Sequence, residues 1–260
     1  MQLHEVEVVS FLTDLFSRGE SYSAINSARS ALSAILCNDN GVTIGKFNSV
    51  KRFMKGVFEQ RPPMPRYSTI WDANTVLNYL KVFYPYDDLP LSQLTYKLVM
   101  LLALASSQRA QTLHAINVKD VIFYDNLVEI PIFSLLKQTT ARNRKFVIRL
   151  KSFEQDYSLC VVKILRVYIE RTARIRTGDQ LFISYQKPHN VVSKETISRW
   201  LKLVLFEAGI DVSHFKAHIT RAASVSRAKK DSVNVNEILQ AAGWSNSRTF
   251  HRFYDKVIVS

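Results

Sequence analysis

With 260 residues, 47% of them apolar, the chain can fill one large core or two modest ones, which excludes a disordered polymer. Lysine and arginine number 35 against 22 acids, a net charge of +13, and such an excess belongs to proteins that meet polyanions, nucleic acid foremost. The longest apolar run, residues 98–105, is far too short to span a bilayer, and Glu5 and Glu7 stand where a secretion signal would be basic, so a soluble intracellular chain with no membrane partner is expected.

Residues 6–19 open the chain with Val8, Phe11, Leu12 and Leu15 at helical spacing and Gly19 as a stop. A second helix is expected over 21–36, with Ile25, Ala28, Leu32 and Ile35 inward and Asn26, Ser30 and Ser33 outward. A third, over 48–58, buries Val50, Phe53, Met54 and Val57 and sets Lys51 and Lys55 one turn apart on its other side. Three such helices make a small bundle whose small polar face and basic residues suit close approach to DNA, with Arg29, Lys51, Arg52 and Lys55 as the candidate contacts. Cys37 and Cys160 each lie among apolar neighbours, which reads as two buried free thiols and a reducing compartment.

Pro62, Pro63 and Pro65 then exclude helix and favour an extended connector. The expected division is a helical domain at 1–62, a linker at 63–66 and a second domain at 67–260. Only 8 of the 35 basic and 6 of the 22 acidic residues lie in 1–66, which leaves +11 on the remainder. In that larger part, residues 95–116 predict a long buried helix broken near Ser106 and Ser107. Residues 118–133 alternate as two strands joined by Asp125 and Asn126, and after a polar loop residues 146–150 form a third. Helices are expected over 158–175, 193–209, 218–230 and 235–243. The architecture is mainly α with a small antiparallel β-sheet, and no period of 20–50 residues marks a repeat array.

His218 and Arg221, three apart at the start of an expected helix, would share a face and could reach one phosphate. Around them stand Arg109 just past the helix break, Lys137 in the hairpin loop, Trp244 in "AAGWSNS" and Tyr254 in "FHRFYDK". In this order the six resemble the active site of the tyrosine recombinase (phage integrase) family. The resemblance covers essentially the whole chain. The wording of "FLTDLFSRGESYSAINSARSALSAI", "RFMKGVFEQRPP", "SSQRAQTLHAI" and "GWSNSRTFHRFYDK" is most similar to recombinases of eukaryotic DIRS-type and Crypton-type mobile elements.

The resemblance implies a helical, SAM-like core-binding domain and a catalytic domain that together clamp double-stranded DNA. It also implies oligomers up to a tetramer on that DNA, and a nuclear location in a eukaryotic host. Tyr254 is then the nucleophile, Arg109 and Arg221 are planar forks on the non-bridging oxygens, and His218 and the Trp244 indole add hydrogen bonds. Lys137 is the proton donor to the leaving oxygen, with Lys145 across the hairpin as the alternative. Three departures from the family pattern stand out: Thr112 where an acid is frequent, ten residues between Trp244 and Tyr254 where nine is common, and a last residue only six beyond Tyr254.

No metal and no small-molecule cofactor are expected, because a metal-dependent nuclease or transposase needs clustered carboxylates and Asp120, Asp125 and Asp255 form no such cluster. Two other functions stay open: a type IB topoisomerase-like relaxation of supercoils, and a domesticated, catalytically silent DNA-binding protein.

Overall fold

The structure is a computed structural model that describes residues 5–37, 41–64, 67–134, 146–243, 250–251 and 254–259. The chain divides into two compact units, residues 1–66 and 67–260.

The first unit contains α1 (Glu5–Ser17), α2 (Tyr22–Ile35) and α3 (Asn48–Gln60). Gly19 takes φ +86° after α1, a conformation that costs a residue with a Cβ, and the Ser21 hydroxyl accepts the Ala24 N–H to cap α2. Val8, Leu12, Ile25, Ile44, Val50, Met54 and Val57 form the core. Arg61 pins the end of α3 to the end of α1: it donates to the carbonyls of Phe16 (2.8 Å) and Glu20 (3.0 Å) and lies 3.9 Å from the centroid of the Phe16 ring.

Three expectations for this unit are corrected. Phe11 is 45% exposed, since α1 meets its neighbours through the narrow i, i+4 stripe of Val8 and Leu12 and Phe11 falls beside it. Ile35 is 78% exposed, because the last turn of α2 runs past the small core. Cys37, just beyond that turn, is exposed for the same reason, whereas Cys160 in the second unit is buried, and both are free thiols.

The second unit contains β1 (Thr69–Trp71), α4 (Ala73–Lys81), α5 (Leu91–Ser106), α6 (Ala110–His114), β2 (Ile122–Phe123), β3 (Leu127–Ile132) and β4 (Phe146–Lys151). It continues with α7 (Val161–Thr172), α8 (Lys194–Glu207), α9 (Thr220–Lys230), α10 (Val235–Ala242) and β5 (Val257–Val259). Helix α5 is apolar nearly all round, and it is the axis of the unit: α7, α8 and α9 all pack on it. Its one basic residue, Lys97, is fully buried, donates to the Phe83 carbonyl at 2.6 Å and lies 4.9 Å from the Tyr86 ring centroid.

Strands β2, β3 and β4 form the antiparallel sheet, with Val128 opposite Leu150 and Ile130 opposite Ile148 facing the core. A second pairing was not legible in the sequence. β1 and β5 run parallel with Thr69 opposite Val257 and Trp71 opposite Val259, which fastens the segment after Tyr254 to the first strand of the unit.

Candidate active site

Helix α5 ends at Ser107, whose φ of 53° is left-handed although the residue is not glycine. This reversal presents Arg109 at the start of the short helix α6, where its carbonyl accepts the Thr112 N–H at 2.8 Å. Thr112 itself is buried and carries no charge, so α6 holds Arg109 through the backbone where an acid would hold it by charge.

Arg221 sits in the first turn of α9 and is 2% exposed. It donates to the Ala242 carbonyl, at the negative end of α10. Burial, together with the nearby charge of Arg109, depresses its pKa to about 10, against which Tyr254 pulls weakly upward. Its guanidinium carbon lies 5.6 Å from the centroid of the Tyr254 ring. The structure thus brings Arg109, Arg221 and Tyr254 together from three distant stretches of chain.

Tyr254 is held by its backbone. Its N–H donates to the Phe250 carbonyl at 2.8 Å, and Phe250 is buried against Val225 and Ile238. The Ser226 hydroxyl donates to the Tyr254 carbonyl at 2.7 Å and accepts the Lys256 N–H at 3.1 Å, tying both to α9. The next residue, Asp255, receives Lys229 at 2.5 Å and His251 at 3.3 Å. Burial alone would raise its carboxyl, but these two partners hold it below the ordinary value. His251 is therefore a strut of the tyrosine segment.

His218 departs from the expected geometry. It lies in a single 3₁₀ turn, Ala217–Ile219, ahead of α9, so it and Arg221 are not two positions of one α-helical face. The histidine is exposed where the arginine is buried. A 3₁₀ turn still nearly eclipses positions i and i+3, and the Tyr67 ring supports His218 with centroids 6.4 Å apart. Trp244, Lys137 and the alternative Lys145 lie outside the described residues.

Of the candidate DNA contacts in the first unit, Arg29, Lys51 and Lys55 line one cavity of about 320 Å³ with Tyr22, Asn26 and Gly45. Arg52 is exposed outside that lining. Arg29 is braced within its own helix by Asn26 (3.1 Å) and Ser30 (3.2 Å).

Three residues at the arginine pair were not singled out by sequence, Gln108, Ser224 and Ser226, and Ser107 was read only as part of the helix break. Their only sequence signal is adjacency, a polar run "SSQ" inside an apolar helix end and serines three and five residues beyond Arg221.

Residues 80–258 match the Phage integrase family. The chain belongs to that family. Among curated protein sequences none matches it. Of solved structures, the XerH site-specific recombinase bound to palindromic difH substrate is 14% identical at a TM-score of 0.60, over 95% of this chain and 67% of that one. The Tn1549 transposon integrase in complex with transposon right end DNA is 14% identical at a TM-score of 0.60, over 96% and 81%. XerA recombinase is 17% identical at a TM-score of 0.55, over 97% and 86%. At these identities the likeness is one of fold, and the fold is mostly helical with a small antiparallel sheet, that of tyrosine recombinase catalytic domains.

Proposed function

We propose that this phage integrase family member is a site-specific DNA recombinase that cleaves and rejoins duplex DNA through a 3′-phosphotyrosyl intermediate, without metal, ATP or another cofactor. The Tyr254 oxygen attacks phosphorus, the P–O5′ bond breaks, and the leaving oxygen takes a proton from Lys137. Arg109 and Arg221 hold the non-bridging oxygens, where charge accumulates in the transition state, and His218 and Trp244 add donors. A 5′-hydroxyl of the partner strand then attacks the phosphotyrosine and releases Tyr254, so the phosphodiester energy is conserved.

The observation that carries this reading is the pairing of two like charges beside a tyrosine, with Arg221 buried, its pKa lowered in part by Arg109, and its guanidinium over the Tyr254 ring. The DNA named with XerH and the Tn1549 integrase supports a DNA substrate here as well.

In this proposal the first unit places Arg29, Lys51, Arg52 and Lys55 on the DNA backbone, and protomers assemble up to a tetramer on the recombining sites. The element is of DIRS or Crypton type and acts in the nucleus of a eukaryotic host.

A nicked suicide duplex, which loses the fragment needed for religation, tests the chemistry. The wild-type chain should accumulate a covalent adduct that peptide mapping places on Tyr254, and Tyr254→Phe should bind the duplex equally well and form none. An adduct on another residue, or none from the wild type, refutes the reading. Relaxed plasmid without exchanged strands would assign a topoisomerase instead.

A further inference from the structure

The end of α10 is where the two arginines are referred to each other. Gly243, at φ +69°, turns its N–H back to the carbonyls of Gln240 and Leu239, so Ala241 and Ala242 are left with carbonyls that have no donor within the helix. Both are taken by side chains from elsewhere. Arg221 donates to Ala242, and the Gln108 amide donates to Ala241 at 2.9 Å.

Gln108 is 3% exposed and is the immediate neighbour of Arg109. Its nitrogen also donates to the Ser106 carbonyl, the last of α5, at 3.1 Å, so both N–H bonds of the amide are used on the ends of two different helices. A second strut leaves the same loop. The Ser107 and Ser224 hydroxyls lie 2.9 Å apart, and because Ser224 donates onward to the Leu104 carbonyl, Ser107 is the donor between them. Ser224 is three residues beyond Arg221 on α9.

We propose that Gln108 is a positioning residue that sets the distance between the two guanidiniums, by holding the Arg109 loop to the Ala241 carbonyl, the immediate neighbour of the Ala242 carbonyl that Arg221 grips; this rests on the recombinase reading above. Consecutive carbonyls of one rigid backbone are a common reference, so slippage of the loop by a fraction of an ångström breaks one of the Gln108 bonds. A glutamine serves because the position needs two donors without charge. A lysine or arginine there would add a third cation to the pair, and a carboxylate has no proton to give.

The test is single-turnover adduct formation on the nicked duplex with protein in excess, beside DNA affinity by anisotropy and the melting temperature. Gln108→Met matches the length without donors and should cleave about 10- to 100-fold more slowly, the scale of a small misplacement of catalytic groups, with the DNA dissociation constant within about twofold. Gln108→Glu should be as slow at pH 8 and should regain rate as the pH falls toward 6, since only the protonated carboxyl can donate to a carbonyl, whereas the wild type gains nothing over that range. A merely structural glutamine would not produce that inverted profile.

If Gln108→Met does not fold, Gln108→Asn carries the comparison: its amide is one methylene short of bridging Ser106 and Ala241, and it should be slowed likewise. Cleavage by the folded variants within twofold of wild type, or a Gln108→Glu profile parallel to wild type, overturns the positioning role alone. A wild-type chain that forms no Tyr254 adduct overturns the recombinase reading, and the catalytic purpose of the clamp with it.

Discussion

Removing the charge of Arg109 should stabilise the free protein while it destroys the chemistry. Arg221 is 2% exposed, and its pKa is depressed to about 10, by burial first and by the Arg109 charge second. A free guanidinium stays above about 12, and each tenfold change is about 1.4 kcal/mol, so keeping Arg221 charged costs the folded chain on the order of 3 kcal/mol. Burial is the larger cause and the Arg109 charge the second, so removing that charge relieves the smaller part of this cost. In a domain of this size 1 kcal/mol moves Tm by about 2–4 °C. Arg109→Gln keeps most of the aliphatic stem and removes the charge, so calorimetry at pH 7 should show Tm raised, on the order of a few degrees at this scale, and no adduct on the nicked duplex.

The pH dependence has a definite sign. Below about pH 10 Arg221 is protonated in both folded and unfolded chains, and the repulsion is present in full. Above that pH the folded protein releases the Arg221 proton while the unfolded chain keeps it, so wild-type stability rises and the advantage of Arg109→Gln fades. Duplex DNA should raise the wild-type Tm by supplying the counter-charge, and should raise that of Arg109→Gln by less. An Arg109→Gln protein that melts at or below the wild-type temperature refutes this account, because Arg109 would then be holding structure instead of repelling its neighbour.

Lys137, assigned by resemblance, separates chemically from the arginines: with sulfur replacing the 5′-bridging oxygen, the leaving group needs no proton, so Lys137→Ala should be slow on ordinary DNA and near wild type on the sulfur substrate, while Arg221→Ala stays slow on both. Rescue of Lys145→Ala instead would move the general acid across the hairpin. Burial depresses Lys97 to about 8, so between that pH and the ordinary lysine value the unfolded chain binds the extra proton and stability should rise with pH. Urea titrations from pH 7 to 10 should show that rise in wild type and its loss in Lys97→Met; an equal rise in both excludes Lys97 as its source.

The elements that sequence located best are those whose ends are marked chemically. Ser21 and Ser193 accept N–H bonds from residues three further on, as N-caps do, and Gly19 and Gly243 take the left-handed turn that closes a helix. The break at Ser106 and Ser107 was legible for a similar reason, since small polar residues interrupt a buried apolar helix. What escaped was set by tertiary contact. β1 and β5 are three residues each and exist only by pairing across the unit, so neither has a period to detect. His218 was assigned to a helix by its spacing to Arg221, but the α-helix begins at Thr220 and the histidine occupies the tighter turn before it. At the arginine pair, residues with a chemical role of their own were visible in advance. Gln108 and Ser224 were not, because a glutamine or serine acquires meaning only from the carbonyl it meets.

The same stretch concentrates the local conflicts of the fold. Ser107 adopts a conformation that favours glycine, at a cost of about 1–2 kcal/mol for a residue with a Cβ. Gln108 buries an oxygen that takes no hydrogen bond from the described residues. Arg109 and Arg221 set like charges together. Such conflicts stand singly elsewhere, as at His189 and Ser232 with their positive φ and at the buried Lys97, whereas here they fall in three consecutive residues. Each is offset by a bond that links α5, α9 and α10: the Ser107 hydroxyl to Ser224, the Gln108 amide to two helix ends, and Arg221 to Ala242. Relaxing any one of them separately would leave a more stable loop and a less determined one. A pair of guanidiniums serves a phosphate only if their spacing is fixed before the phosphate arrives, and in this chain the fixing is done by side chains that the local backbone would not have chosen.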